Sequence, residues 1–252
     1  MRIRDYLVTL ISFVRQPKKQ KLIRAAMKLK NKTGLEIGGP SRFFGLRGGF
    51  PVYIFAKKID GVNFSMHTVW EGSIQAGETY KYYSGKIGQQ FIAEATELKY
   101  VGDNIYDFLL SCHSLEHVAN PIRALLEWKR VLKENGTLAL VLPDKRYTFD
   151  VNRPYTEFDH LLQDFQQNID ENDSTHFNEI IQHHDSTKDP ERKTSQKLSE
   201  TIKNNFQDRM VHHHVFNQDL VQKMLEFCGF QVFFQQEMEP FHLITLASKK
   251  TD

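Results

Sequence analysis

Cysteine is scarce, with two in 252 residues, Cys112 and Cys228, far apart in the chain. Two isolated thiols exclude a disulfide framework and suit a reducing cytoplasm. No apolar run approaches the roughly 20 residues that a membrane-crossing helix needs. The stretch from Tyr6 to Val14 is apolar but short, lacks a small-residue cleavage signature and runs into Arg15, Lys18, Lys19 and Lys21, which argues against a cleaved signal peptide. The ligand spacing of a standard zinc motif is missing. Disordered bias is missing as well: 40% apolar and 25% charged residues describe a chain that buries a core. These absences leave one cytoplasmic, enzyme-sized domain with an insertion.

Charge of one sign is also lacking overall, since the formal net charge is only +2. That figure hides an asymmetry. Residues 1–32 hold ten Lys or Arg against the single acid Asp5, which leaves 23 basic and 30 acidic side chains for residues 33–252. An acidic body without a recognition motif argues against nucleic acid as a partner. The basic arm has two readings. Leu7, Leu10, Ile11 and Val14 share a helical face that can lie on an anionic membrane surface, or the helix can pack on its own sheet and show a solvated basic face.

What is present begins with residues 106–144, YDFLLSCHSLEHVANPIRALLEWKRVLKENGTLALVLPD. Tyr106 to Leu110 reads as a strand that stops at the polar cluster Ser111, Cys112, His113, Ser114. Pro121 suits the first turn of a helix, and Ile122, Leu125, Leu126, Lys129 and Leu132 recur at steps of three and four, up to a stop at Asn135-Gly136. Thr137 to Leu142 is a second apolar run, as expected of a strand buried on both faces of a parallel sheet. Ligands of such sheets bind at the carboxyl ends of the strands, which places Ser111 to Ser114, Pro143 and Asp144 at the rim of a crevice. Upstream, Gly34 to Gly45 reads GLEIGGPSRFFG, a short strand ending at Glu36 and Ile37 and a glycine turn that brings backbone close to a ligand.

The pair of motifs resembles class I S-adenosylmethionine-dependent methyltransferases, which show an E/D-x-G turn followed by a YDxxxSxxxLEHxxxPxxxLxExxRVLKxxGxLxLxxP segment. The likeness covers roughly residues 33–145 well and the final strands loosely. It implies a Rossmann-like α/β fold: an open, mostly parallel seven-stranded sheet with helices on both faces and an antiparallel C-terminal hairpin. It implies S-adenosyl-L-methionine as cofactor, with Glu36 near the methionine amine and Gly38 and Gly39 in the turn beneath it. Pro40 and Ser41 depart from the family there and cost the loop one N–H. For the ribose, Asp60 lies about twenty residues past the turn, whereas IDGVNFS aligns Asn63 with the family's acid, and both stay open. Glu94 and Ala95 resemble the adenine-proximal segment, and Ser111 and His113 close the cofactor side at the strand end.

Methyl transfer to oxygen calls for a base with a pKa near working pH, or a metal, at this rim. Nine of the eleven histidines fall between His113 and His214. His113, His117 and His214 are the catalytic candidates, with His113 best placed. The run His212-His213-His214 can put His212 and His214 on one face, where Asp185, Asp159 or Glu179 would complete a divalent-metal site. No metal is otherwise assigned. Residues 145–210 read as a lid or substrate cap on the 33–252 domain, with helices near 158–169 and 174–185, a solvated linker at 186–200, and Arg146, Tyr147, Asp150 and Arg153 at its border. Leu220 to Phe227 is a helix, and Phe230 to Phe234 and His242 to Ala247 are the closing strands.

The favoured function is transfer of a methyl group to an oxygen of a small molecule or glycan, because the Asn-Pro-Pro-aromatic motif of amine methylation is missing and SCHS stands in its place. Two alternatives remain: a methyltransferase-fold binding protein without catalysis, and a metal-dependent enzyme built on the histidine-rich lid. A homodimer is a further expectation, since cap segments also make dimer contacts.

Overall fold

The computed structural model describes residues 3–251. In chain order its elements are helices α1 (Ile3–Arg15) and α2 (Gln20–Lys28), strand β1 (Thr33–Ile37), helix α3 (Val52–Phe55) and strands β2 (Lys58–Asn63), β3 (His67–Thr68), β4 (Gly72–Ser73), β5 (Gly77–Tyr83), β6 (Lys86–Ile92) and β7 (Tyr106–Cys112). Then come α4 (Pro121–Val131), β8 (Leu132–Pro143), α5 (Phe158–Gln166), α6 (Phe177–His183), α7 (Ser195–Lys203), α8 (Asn205–Asp208), α9 (Gln218–Phe227), β9 (Phe230–Met238) and β10 (His242–Lys249).

The main sheet has eight strands in the order β5-β6-β2-β1-β7-β8-β10-β9. From β6 to β8 every pairing is parallel, and β8–β10–β9 forms the expected antiparallel close. The eighth strand is β5, which pairs antiparallel with β6 across a turn at Ser84-Gly85 and extends the edge beyond the seven expected. Side chains alternate between two cores, as the pleat requires. Leu109, Leu138, Leu140 and Leu142 pack with α4 and α9, whereas Phe108, Leu110, Ala139 and Val141 pack with α2 and α3. Helices therefore cover both faces.

Helix α4 starts where Pro121 suggested, with the Asn120 side chain accepting from the Arg123 N–H at 3.0 Å. It ends at Val131, four residues before Asn135. Leu132 already pairs with Tyr106 in the sheet, and Asn135, at φ +59°, kinks the strand rather than capping the helix. A second departure lies in the supposed linker. Thr194 caps α7, whose Leu198 and Ile202 are buried with Ile180 and Val211 in a small core of their own.

The first helix buries a polar side. Asp5 and Thr9 are buried, whereas Leu7, Leu10, Ile11 and Val14 are 53–67% exposed. The helix thus packs through the side that carries Asp5 and Thr9, and its apolar stripe faces outward. No helix among the described residues is long and apolar enough to cross a membrane.

Candidate active site

The carboxyl ends of β1, β2, β6 and β7 open into a cavity of about 470 Å³, roofed by the segment between β8 and α9. That volume lies within the range of small-molecule sites. Three structural devices build it. Gly38, at φ +74°, turns the chain where an added Cβ would meet Ser114 Oγ at 2.2 Å. His113 occupies the same left-handed region at φ +53°, an uncommon conformation for a side chain of its size that places it at the mouth of β7. The α4 motif acts from behind: Trp128 Nε1–H donates to Ala95 O at 2.9 Å, Glu127 accepts from the Leu98 N–H at 2.7 Å, and Arg130 grips Glu127 and Val101 O. These contacts fix the loop that presents Glu94 and Ala95.

The residues expected at the cofactor separate into two groups. Gly38, Asn63, Glu94, Ala95 and His113 line the cavity, as does the catalytic candidate His117. Glu36, Gly39, Asp60, Ser111 and His214 do not. Glu36 is wholly buried, and its carboxyl accepts from Tyr53 Oη at 2.5 Å, Tyr80 Oη at 2.7 Å and the Ser41 N–H at 2.9 Å. It braces the loop from beneath rather than facing an amine. Gly39 packs on that carboxyl, where a Cβ would approach it to 2.3 Å. Asp60 accepts from Tyr106 Oη at 2.9 Å and the Gln89 N–H at 2.7 Å, behind the sheet end. Ser111 is enclosed in the sheet. His214 points into the insertion. Glu94 lines the cavity, but its carboxylate is paired with Arg209 at 2.8 Å, and the same guanidinium reaches Glu171 at 2.5 Å.

The polar wall is made by histidines. His113 contacts His242 Nδ1 through Nε2 at 2.9 Å and Glu116 through Nδ1 at 3.5 Å, so both ring nitrogens have neighbours. His117 donates from Nδ1 to Val211 O at 3.0 Å, and burial lowers its pKa to about 4. It is therefore neutral, with a lone pair on Nε2. His212, buried beside it, bonds through Nδ1 to Asp150 Oδ2 at 2.5 Å. Burial alone would raise the Asp150 carboxyl, yet His212 and Arg153 hold it down at about 2. Arg153, 1% exposed, also donates to the carbonyls of His212 and His213 at 2.8 and 3.0 Å. Asp150 and Arg153 thus position the wall and do not offer themselves to an acceptor. Arg146 is occupied by Asp144 and Glu237.

Among the described residues, two groups of side chains bring potential metal-ligand atoms within 4.8 Å of one another: Glu116, His117 and His212 at the cavity, and His160, Asp164, His176 and His214 inside the insertion. Asp185, Asp159 and Glu179 belong to neither. The pairing of His212 with Asp150 spans 62 residues and that of Arg209 with Glu94 spans 115, distances over which sequence spacing carries no signal.

The cavity fits S-adenosylmethionine on its own evidence. Asn63 Oδ1 is buried without a hydrogen-bond partner among the described residues, while its Nδ2 donates to Gly39 O at 3.2 Å. An orphan acceptor at the end of the second parallel strand is what a ribose hydroxyl would satisfy. Apolar walls from Ile37, Val62, Phe64 and Val118 suit the thioether and the purine.

Comparison with known proteins places this geometry. Residues 50–140 match the methyltransferase domain family. The fold is similar to that of an S-adenosylmethionine-dependent methyltransferase from Mesorhizobium loti, at 11% identity, with 92% of this chain and 97% of that one covered and a TM-score of 0.51. A structure from Bacillus halodurans assigned as a methyltransferase gives 15% identity, 93% and 100% coverage and a TM-score of 0.51. No curated protein matches the sequence. Residues 50–140 thus carry the match to a methyltransferase domain, and the chain as a whole has a fold similar to those of S-adenosylmethionine-dependent methyltransferases. S-adenosylmethionine is the cofactor that such a fold and this cavity lead one to expect.

Proposed function

We propose that this protein is an S-adenosylmethionine-dependent methyltransferase acting on an oxygen of a small-molecule or glycan acceptor, with His212 as the general base and Asp150 as its positioning partner. S-adenosylmethionine, when bound, supplies an electrophilic methyl group on sulfur. Asn63, Gly38 and the Glu94-Ala95 loop hold it in the cavity, and the histidine wall faces the remaining space. An acceptor hydroxyl there must lose its proton as the new bond forms. The observation that carries the reading is the Asp150–His212 pair: the carboxylate fixes the Nδ1–H tautomer and leaves Nε2 as the nitrogen able to take that proton.

Labelled S-adenosylmethionine offered with a panel of sugars and hydroxy acids tests it. Once an acceptor is found, His212→Asn and Asp150→Asn should lower turnover by about 10²–10⁴ with cofactor affinity kept. Unchanged turnover would sink the assignment.

A specific observation favours a second reading. Both Glu116 oxygens are buried without hydrogen-bond partners among the described residues. His117 and His212 each engage Nδ1 elsewhere, so the three could hold a divalent cation whose Lewis acidity replaces the base. Turnover lost on chelation and restored by a divalent salt would select it.

The outward stripe of α1, followed by Arg15, Lys18 and Lys19, further supports peripheral contact with an anionic membrane surface rather than a dimer. Co-sedimentation with vesicles containing phosphatidylglycerol, abolished by Leu10→Glu, is the expected result. A stable dimer in the absence of vesicles that Leu10→Glu dissociates would assign the stripe to self-association instead.

A further inference from the structure

The insertion contains a second histidine cluster that the reaction does not use. None of its members lines the cavity. His160 and Asp164 stand one turn apart on α5 and so share a face. His176 precedes α6, and His214 comes from the extended stretch before α9. Three segments that are separate in sequence thus deliver three imidazoles and one carboxylate to a single point.

Their spacing is that of a coordination shell. His160 Nε2 lies 3.1 Å from His176 Nε2 and 3.3 Å from Asp164 Oδ2, and Oδ2 lies 3.6 Å from His214 Nε2. All four ligand atoms fall within 4.8 Å of one another. A tetrahedron drawn with metal–nitrogen bonds of about 2.0–2.1 Å has edges of about 3.3–3.4 Å, in the middle of the three measured separations.

A hydrogen-bond network accounts for the cluster less well. His160 and His176 can share one proton between their Nε2 atoms. Asp164 Oδ2, however, is buried and has no hydrogen-bond partner among the described residues, although two ring nitrogens point toward it. A buried carboxylate oxygen left in that state is costly, and a cation among the four atoms removes the cost. His214 Nε2 sits 3.1 Å from Ala119 O, and ligation would exchange that single hydrogen bond for a metal bond.

We propose that His160, Asp164, His176 and His214 bind one divalent transition-metal cation, of which zinc is the prototype, in a closed site. Four protein ligands leave no open position, which marks the site as structural rather than catalytic. The ion joins α5, the start of α6 and the strand-like 210–216 segment. The same carboxylate residue already receives Asn120 Nδ2 on its backbone carbonyl at 3.1 Å, so the ion also ties the insertion to the loop that leads into α4. Nothing in this assignment depends on the acceptor or on methyl transfer.

The test uses the full chain, with Zn²⁺ as probe and Co²⁺ as spectroscopic substitute. Wild-type protein stripped with chelator should rebind one equivalent of Zn²⁺ at this site and regain several degrees of Tm. Co²⁺ should give the intense visible bands of a tetrahedral site. His160→Ala and His176→Ala should lose that equivalent, while His117→Ala should keep it. Absence of Zn²⁺ binding by the folded wild type would overturn the proposal without relying on any variant. Binding lost in His117→Ala but retained in His160→Ala would overturn it too, by moving the ion to the cavity wall.

Discussion

Burial pushes the Glu36 carboxyl up to about 7, even though two tyrosines and a backbone N–H donate to it. Its pKa is therefore higher in the folded chain than in the unfolded one, and folding takes up a proton at neutral pH. The resulting stability is fully present below about pH 4.5 and is lost as pH rises through 7. Glu36→Gln should flatten this dependence. The wild type is expected to lose up to about 3 kcal/mol more than the variant between pH 5 and pH 8, read from denaturant midpoints. Equal slopes for the two proteins would show that the carboxyl stays ionised throughout. Ser111 is the opposite case: a buried hydroxyl with no partner among the described residues. Ser111→Ala should leave cofactor affinity unchanged and cost less than about 1 kcal/mol of stability. A weakened cofactor would return Ser111 to the binding site.

The elements legible in the sequence are those with a strong period and a matching stop. The strand from Tyr106, the start of α4 and the closing hairpin follow from apolar pattern, proline and glycine, whereas the end of α4 does not, because Leu132 is taken by the sheet before Asn135-Gly136 is reached. The helix α7 was hidden because its polar sequence, SQKLSETIK, offers only Leu198 and Ile202 to a core. Strand β5 was hidden for a related reason: GETYKYY alternates charged and aromatic residues at an exposed edge, and only its pairing with β6 declares it. Within α4 the capping and clamping roles can be separated. Asn120→Ala removes the cap that accepts from Arg123 together with the Nδ2 donations to the Asp164 and Ile169 carbonyls, and should cost about 2–3 kcal/mol in thermal or chemical unfolding. Arg130→Ala removes the grip on Val101 O and Glu127, so the Ala95 loop loosens. Its expected signature is a several-fold weaker hold on S-adenosylhomocysteine, measured by calorimetry, from a residue that does not line the cavity.

For the whole molecule, half of the site was readable and half was not. The glycine turn, Asn63 and the Glu94-Ala95 loop lie at strand ends, where the order of parallel strands dictates their neighbours. Glu36, one residue before the end of β1, and Asp60, in the middle of β2, are on inward-facing positions, where tyrosines from β5, β7 and α3 claim them. The histidine wall depends on how the insertion folds back, and nothing local encodes that return.

Arg209 records where the return closes. One guanidinium holds a carboxylate from the edge of the sheet and another from the insertion, stacked over Phe64 and Phe206. The bridge spans the cavity, and the expectation that follows is a latch that must open for a bound nucleoside to leave. Product departure is then expected to follow the opening of this ion pair, apart from the chemistry of transfer. Glu94→Gln should speed release of S-adenosylhomocysteine in stopped flow while weakening its equilibrium affinity, and an unchanged release rate would show that the latch is not the exit.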